Sequence, residues 1–253
     1  MKKILLQGKN IQKKFMQGEK ENWVLDNINI EIYQGDFTII MGASGAGKST
    51  LLYALSGMDQ ITGGQIFYKD QEISQYKEKQ MANLRAEEFG FVFQQTHLVS
   101  NLTLFENIIV AGYANGKKKD KEIKGQAEKL LKQMYVDYAK DRLPSQVSGG
   151  EAQRAAIARA VINQPGLLFA DEPTGALNKS NSHNVLNLIT ELNQKGQSIL
   201  MVTHDIKTAI YGNRILYLED GKIIDELELP PYQEQEGKQR EANINHWLSS
   251  LNW

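Results

Sequence analysis

The chain of 253 residues contains no cysteine, which excludes disulfide bonds and thiolate chemistry and is compatible with a reducing compartment. Long apolar runs are also missing, and no stretch approaches the roughly 18 apolar residues of a membrane-spanning helix. The N-terminal sequence MKKILLQGKN has an apolar run of only three residues, too short for a secretory signal peptide. If the protein works at a membrane, we expect it to dock onto a structure that other chains build.

An excess of charge of either sign is absent as well. The chain has 29 Lys and Arg residues against 30 Asp and Glu residues, for a formal net charge of −1. Because nucleic-acid-binding proteins usually show a basic field, the composition predicts no nucleic-acid partner. Hydrophobic residues make up 41% of the chain, enough for a substantial core, and no internal repeat divides it. These features predict one domain with subdomains.

Glycine, in contrast, is concentrated in two segments. GASGAGKST occupies Gly42–Thr50, and VSGGEAQR occupies Val147–Arg154. Glycine has no Cβ, so the backbone N–H groups of such segments can approach a phosphate closely. The first segment matches G-x-x-x-x-G-K-[ST] and stands between an apolar strand, Phe37–Met41, and a helical run, Thr50–Leu55. This context predicts a phosphate-binding loop.

In a loop of this kind, the backbone amides and the helix N-terminus surround the β-phosphate of a nucleotide. Lys48 would reach the β- and γ-phosphates, and the Ser49 hydroxyl would ligate Mg²⁺. The predicted nucleotide-binding residues of the loop are Gly42, Ala43, Ser44, Gly45, Ala46, Gly47, Lys48, Ser49 and Thr50.

An apolar strand, Leu167–Ala170, ends in the two carboxylates Asp171 and Glu172. The end of a parallel strand places such groups at the carboxyl edge of a sheet, beside a phosphate loop. Asp171 would hold Mg²⁺ through water, and Glu172 would polarise the attacking water. The alternative is that both carboxylates only cap the segment that follows.

Strand-like and helix-like patterns alternate along the chain and indicate a parallel α/β core. Helices are predicted at about 103–140, 150–163 and 185–193, and further buried strands at 89–93 and 198–202. The alternating run Ile28–Ile32 and a final hairpin around Asp220 and Gly221 suggest an added antiparallel layer. The charged run Lys117–Lys121 is interpreted as a solvated loop, with a lipid or nucleic-acid patch as the alternative.

VSGGEAQR resembles the signature sequence of ATP-binding-cassette (ABC) ATPases, usually LSGGQ, and ADEPTGALN resembles their Walker B and D-loop segments. Gln94, after a strand, and His204, in MVTHD, fall where that family has its Q-loop and H-loop. The similarity covers roughly residues 3–226, with five motifs in the right order. It implies an α/β fold with a P-loop NTPase (RecA-like) core, an N-terminal antiparallel β subdomain, and an inserted α-helical subdomain at about 96–147. The whole ATPase domain would span 1–228.

The resemblance also implies how the second glycine segment works. In this family the signature of one subunit faces the γ-phosphate held by the other, so that two ATP molecules join a head-to-tail homodimer. The residues that would contact the partner's ATP are Ser148, Gly149, Gly150 and Glu151. Glutamine is commoner at the position of Glu151. Because a glutamate beside a triphosphate is unfavourable, we expect its side chain to point toward ribose hydroxyls or solvent.

The same resemblance assigns ATP and Mg²⁺ as cofactors. Gln94 would join Ser49 and Asp171 as a Mg²⁺ ligand and would report the nucleotide state to the helical subdomain. His204 would contact the γ-phosphate and the water polarised by Glu172. The alternatives are an ordinary strand-end glutamine and a structural histidine.

Two positions differ from the residues that are usual in this family. Phe15 lies nearest the place where the family stacks an aromatic ring on adenine, and Trp23 is a competing candidate. The D-loop ends in Asn178, where the family usually has aspartate. Asn178 keeps a hydrogen-bonding oxygen but loses the charge. This change could alter communication between the two ATP sites or slow hydrolysis, but an active ATPase is still predicted.

The segment DEPTGALN and the strand GFVFQ are most similar to a subgroup that includes the LolD, MacB and FtsE ATPases. The resemblance implies a membrane permease as partner, with or without a membrane-fusion or adaptor protein, and a peripheral location on the cytoplasmic side of the cell membrane. The permease would dock near Gln94–Val99. Two functions remain open: export or extraction of a peptide, macrolide or lipid-linked substrate, and FtsE-like regulation of a partner without transport. ABC ATPases of DNA repair and of translation are disfavoured, because the chain has neither a long coiled coil nor a second cassette.

The extension 229–253 begins with prolines and is then rich in Gln and Glu. It ends with Ile244, Trp247, Leu248 and Leu251 at helical spacing, which predicts a short amphipathic helix. We expect this helix to pack back on the domain or to fray, with docking to a partner or a membrane surface as the alternative.

Overall fold

The computed structural model describes residues 2–18, 20–114, 116–251 and 253. The predicted domain 1–228 and extension 229–253 both include positions outside this description. The strands are β1 (Ile4–Gln17), β2 (Lys20–Tyr33), β3 (Phe37–Met41), β4 (Gly63–Tyr68), β5 (Gln71–Glu72), β6 (Phe89–Phe93), β7 (Leu167–Asp171), β8 (Ser198–Val202), β9 (Arg214–Glu219) and β10 (Lys222–Glu228). The helices are α1 (Lys48–Leu55), α2 (Glu78–Glu88), α3 (Leu104–Tyr113), α4 (Asp120–Gln133), α5 (Gly149–Val161), α6 (Lys179–Gln194), α7 (Ile206–Ala209) and α8 (Gly237–Ser250).

The chain divides into two compact units. The first contains Met1–Lys77 and Ser198–Trp253, and the second contains Glu78–Gln197. Among the described residues, no helix has both the length and the apolar character needed to cross a bilayer.

In the first unit, β1 and β2 form a long antiparallel hairpin, which β4 and β5 extend in the order β2-β1-β4-β5. Within the β1–β2 hairpin, the sequence predicted only the part Ile28–Ile32. Most of β1 escaped prediction because register shifts, for example between Gly8 and Ile11, interrupt the alternation of apolar and polar residues.

A second sheet of the first unit has the order β10-β9-β3-β8. β3 is buried along its whole length and runs parallel to both β8 and β9, as a strand covered on both faces should. The prediction that the final hairpin joins the antiparallel layer is wrong, because β9 pairs with β3. The residues of β9 are buried from Arg214 to Leu218, so this strand suits a sheet interior, and only β10 is largely exposed.

The C-terminal segment of the first unit forms α8, which begins at Gly237, earlier than predicted. Ile244 and Leu248 are fully buried, and the Trp247 indole donates to Asp225 at 2.9 Å. Arg240 is also buried and donates to the backbone carbonyls of Ile210, Gly212 and Pro230. The helix therefore packs back on its own unit.

In the second unit, β6 and β7 pair in parallel, and α5 packs against β6, α3, α4 and α6. Small buried residues allow this close packing: Ala152, Ala155, Ala156 and Ala158. The predicted helical stretch 103–140 is two helices, α3 and α4, joined by a loop in which Lys117 pairs with Glu87. α2 was not predicted, because only Met81 is buried and the helix has no apolar periodicity.

Candidate nucleotide-binding site

The glycine loop of the first unit connects β3 to α1. At Gly42 a Cβ atom would lie 2.1 Å from the carbonyl oxygen of Leu218, so only glycine fits this close approach. Gly47 has a φ of 100° and precedes the first turn of α1, where a Cβ would lie 2.9 Å from the carbonyl oxygen of Val24. The loop therefore depends on glycine for its path, and the amides of the α1 N-terminus stand at its end.

Lys48 is buried, and its ammonium group donates to the carbonyl oxygens of Gly42 at 2.9 Å and Ala43 at 2.8 Å. These two bonds close the loop around the amine. A cation fixed at the positive end of a helix is suited to an anionic ligand with several oxygens, such as a polyphosphate.

His204 leaves the sheet at the same edge as the loop. β3 and β8 are adjacent and parallel, with Ile40 opposite Val202, so the segments after both strands emerge together. Thr203 accepts from the Asp205 amide at 3.0 Å, and Asp205 caps α7 by accepting from the Lys207 amide. The backbone on both sides of His204 is thus held, and its side chain is exposed.

Phe15 and Trp23 lie on the β1–β2 hairpin, and both rings are partly exposed. Phe15 pairs with Asn22, and cross-strand partners share a face of the sheet. Leu25 pairs with Lys13, and its side chain lies 3.2 Å from a Cβ built on Gly47. The Lys13 ammonium lies 4.9 Å from the centroid of the Phe15 ring, so Lys13 and Phe15 share a face. Alternation along β2 puts Trp23 on the other face. The register therefore favours Phe15 for a ligand on the loop.

In the second unit, Gln94 and Glu172 follow strand residues that pair with each other, Phe93 and Asp171. A Cβ on Gly175 would lie 2.8 Å from Gln94 Nε2, so the amide side chain lies against the segment that follows Glu172. Glu172 has a φ of 43°, a left-handed conformation that costs a non-glycine residue about 1 kcal/mol or more. Gln94, Asp171 and Glu172 are thus grouped at one edge of this unit.

The signature segment forms the N-terminus of α5. The Ser148 side chain caps the helix by accepting from the Glu151 amide at 3.3 Å. Glu151 Oε2 accepts in return from the Ser148 amide at 2.7 Å and from its hydroxyl at 2.6 Å, and Tyr138 donates to Oε1. Hydrogen bonds from Ser148 and Tyr138 lower the pKa of Glu151 to about 2, so this carboxylate is charged at neutral pH. The sequence had predicted that the Glu151 side chain points toward ribose hydroxyls or solvent. In the structure the side chain turns back onto the cap of its own helix and onto Tyr138.

Three contacts of this unit were not foreseen. The Gln153 amide donates to the carbonyl oxygen of Phe93 at 2.9 Å. Arg159 donates to the carbonyl oxygens of Thr96 at 2.8 Å and His97 at 2.7 Å. The third contact is the bond from Tyr138 to Glu151. Polar residues inside the alanine-rich α5 were the available signal for the first two, because buried polar groups need hydrogen-bond partners.

Asn178 is the N-cap of α6, and its side-chain oxygen accepts from the Asn181 amide at 3.0 Å. Asparagine and aspartate cap helices about equally well. The exchange of one for the other therefore leaves this helix start intact and changes only the local charge.

No cluster of three or more His, Cys, Asp or Glu side chains that could hold a metal ion occurs among the described residues. The predicted ligands are a hydroxyl (Ser49), an amide (Gln94) and a carboxylate (Asp171). All three are oxygen donors, which Mg²⁺ prefers, and one carboxylate suits a Mg²⁺ that is held largely by phosphates and water.

A β-strand, a glycine loop carrying an enclosed lysine, and a helix N-terminus define the first unit as a P-loop nucleotide-binding α/β protein. Comparison with known proteins gives the family. Residues 25–175 match the family described as ABC transporter. The chain is 43% identical over 223 residues to the lipoprotein-releasing system ATP-binding protein LolD of Aquifex aeolicus, covering 88% of this chain and 97% of LolD. The chain belongs to the ABC transporter family and is an ATP-binding cassette, an ATPase of the LolD and MacB type.

A second relative is the macrolide export ATP-binding/permease protein MacB of Pasteurella multocida, 40% identical over 224 residues, or 88% of this chain. The chain spans about a third of the length of the MacB relatives that it matches. Among solved structures, a dimeric ATP-binding cassette in a post-hydrolysis state bound to ADP and Pi superposes with a TM-score of 0.83. It is 34% identical, and the match covers 90% of this chain and all of that one.

Proposed function

We propose that this chain is the ATP-hydrolysing subunit of a transporter complex, in which two copies close head to tail around two ATP molecules. One observation carries the proposal. Two glycine-containing segments lead into helix N-termini of the kind that bind phosphate, at α1 and at α5, but only the α1 segment carries the enclosed Lys48. In a head-to-tail pair each signature meets the ATP on the other copy's loop. The dimeric cassette bound to ADP and Pi supports this arrangement.

In this proposal the amides of residues 42–50 and the Lys48 ammonium bind the phosphates of ATP, and the Phe15 ring stacks on the base. Ser49, Gln94 and Asp171 hold Mg²⁺, which supplies positive charge to the β- and γ-phosphates when it is bound. The base contact is supported by the position of Phe15 on the same face as Lys13 and its partner Leu25, whose side chain reaches Gly47 of the loop.

Glu172 is proposed to polarise the attacking water, and His204 to contact the γ-phosphate. Support for Glu172 comes from its left-handed backbone, because strained residues concentrate at functional sites. The held backbone around His204 supports a fixed orientation of the imidazole. Ser148 and Gly150 complete the site of the other copy.

We further propose that the ATPase cycle drives a separate membrane permease that exports or extracts a peptide, macrolide or lipid-linked molecule. The names of the relatives, a lipoprotein-releasing system and a macrolide exporter, support these substrate classes. The permease, with or without an adaptor protein, holds the cassette at the cytoplasmic side of the membrane. The proposed docking segment is Gln94–Val99, where the Val99 side chain is 48% exposed.

The test is reconstitution of the chain with its permease in proteoliposomes. Val99→Asp should abolish copurification with the permease and its stimulation of ATP hydrolysis, while basal ATPase activity persists. Ile224→Asp is the matched control, because Ile224 is 49% exposed on β10. Equal binding by both variants would exclude Gln94–Val99 as the docking segment, and hydrolysis that no permease alters would contradict the transport role.

A further inference from the structure

We propose that Tyr138 is a positioning residue of the signature, and that its hydroxyl holds the Glu151 carboxylate away from the γ-phosphate of the other copy's ATP. This inference rests on the head-to-tail dimer proposed above. It goes beyond that proposal by assigning a role to a residue that belongs to none of the recognised motifs.

The geometry occupies both oxygens of the carboxylate. Glu151 Oε2 accepts two hydrogen bonds from Ser148, one from the amide at 2.7 Å and one from the hydroxyl at 2.6 Å. Oε1 accepts from the hydroxyl of Tyr138. The side chain is therefore fixed from two directions, from its own helix cap and from the turn that precedes the signature.

The charge of Glu151 is unfavourable where the signature meets a triphosphate. The α5 N-terminus attracts anions, but Glu151 places a carboxylate in its first turn, and that carboxylate is charged at neutral pH. Repulsion between this carboxylate and a triphosphate grows steeply as they approach and as water is excluded from the interface. A tightly closed dimer therefore requires the carboxylate to be turned away and hydrogen-bonded.

Ser148 alone cannot hold the Glu151 carboxylate away from the γ-phosphate in the closed dimer. A serine hydroxyl has one proton to donate. When Ser148 donates it to a γ-phosphate, the bond from that hydroxyl to Glu151 is lost, and Oε2 keeps only the Ser148 amide. Tyr138 is then the remaining side-chain donor to the carboxylate. Its contribution is largest in the closed dimer, where Glu151 is most harmful.

The exposure of Tyr138 argues against a role in packing. The residue is 63% exposed, so loss of the hydroxyl alone removes little buried surface. Tyr135, three residues earlier, is 66% exposed, and its side chain makes no hydrogen bond to any described residue. Tyr135→Phe therefore controls for loss of a surface hydroxyl near the same turn.

The experiment measures dimerisation of the full chain with ATP and Mg²⁺ by analytical ultracentrifugation. Every variant carries Glu172→Gln, which slows turnover. Tyr138→Phe should weaken the dimer about tenfold at low salt, or roughly threefold for each of its two sites, and less at high salt because ions screen the repulsion. Tyr135→Phe should dimerise like the parent.

The Tyr138→Phe substitution in a Glu151→Gln protein distinguishes repulsion between the carboxylate and the triphosphate from a structural effect of Tyr138. Glutamine keeps the capping box but carries no charge. In the Glu151→Gln background, Tyr138→Phe should therefore cause no further weakening. A full loss in that background, or unchanged dimerisation of Tyr138→Phe beside Glu151, would overturn the inference. If the Glu172→Gln parent itself stays monomeric with ATP and Mg²⁺, the proposed dimer fails, and this outcome is recognised before Tyr138 is changed.

Discussion

The side-chain amide of Gln153 donates a 2.9 Å hydrogen bond to the backbone carbonyl of Phe93, the residue directly before Gln94. Gln153 lies on α5, the helix that begins at the signature, and it is almost completely buried. Arg159 adds two bonds from the same helix to the segment just after Gln94, and burial lowers the pKa of this arginine from its usual value. The signature helix and the segment that carries the proposed Mg²⁺-sensing glutamine are therefore joined by three side-chain hydrogen bonds within one unit.

Gln153→Leu should break this connection. The variant leaves the Phe93 carbonyl without its side-chain donor, at a cost of about 1–3 kcal/mol in the free energy of unfolding. We expect a lower kcat for ATP hydrolysis with little change in KM, because the nucleotide loop lies in the other unit. Gln197→Leu is the control, since Gln197 also donates from its side chain to a carbonyl, that of Pro165. Equal kcat values for the two variants would contradict a coupling role.

Lys48→Ala should remove ATPase activity. It deletes the ammonium group that is proposed to bind the β- and γ-phosphates, and a loss of about 100-fold or more in kcat is expected from the removal of one preorganised charge. Phosphate release measures this loss, and a thermal melt checks that the loop still folds without the bonds to Gly42 and Ala43. Lys207→Ala, at an exposed lysine on α7, is the control. Full activity in Lys48→Ala would make the P-loop assignment wrong.

Phe15→Ala and Trp23→Ala should separate the two candidates for base stacking. Stacking of a base on an aromatic side chain contributes about 1–3 kcal/mol, so Phe15→Ala should raise the Kd for ATP by roughly fivefold to 150-fold. Trp23 lies on the other face of β2, and its alanine variant should bind ATP like the parent. Titration with a fluorescent ATP analogue gives both values. A loss confined to Trp23→Ala would reverse the assignment.

Arg240→Met should destabilise the first unit. The variant keeps most of the side-chain volume but leaves the carbonyls of Ile210, Gly212 and Pro230 without their donor, at a cost of about 3 kcal/mol. That corresponds to a fall in Tm of roughly 6–12 °C for a chain of this size. Lys238→Met, at an exposed position on the same helix, should leave the Tm unchanged. Equal melting of the two variants would show that the hydrogen bonds of Arg240 contribute nothing to stability.

The fold class and the family could be predicted from the sequence, whereas several individual strands and helices could not. The P-loop and the carboxylates Asp171 and Glu172 could be read from sequence, because each follows a strongly apolar strand and the motif has a fixed spacing. β1 could not, because its bulges break the alternation, and α2 could not, because it buries little apolar surface. The pairing of β9 with β3 could not be foreseen either, since it depends on contacts distant in sequence.

Hydrogen-bond partners of side chains within the candidate site were harder to predict than strands and helices. Nothing local in the sequence says that Glu151 will accept hydrogen bonds from Tyr138, thirteen positions earlier. The register of β1 against β2, which separates Phe15 from Trp23, depends on bulges that have no sequence signal of their own. Such contacts follow from tertiary packing, so the local sequence does not predict them.

The central claim is that two copies of this chain close around two ATP molecules. The most direct test is the mass of Glu172→Gln with ATP and Mg²⁺, measured by light scattering. This variant should bind ATP, hydrolyse it very slowly and accumulate as a dimer, whereas the same protein with ADP should be a monomer. A monomer that has bound ATP and Mg²⁺ would contradict the composite site.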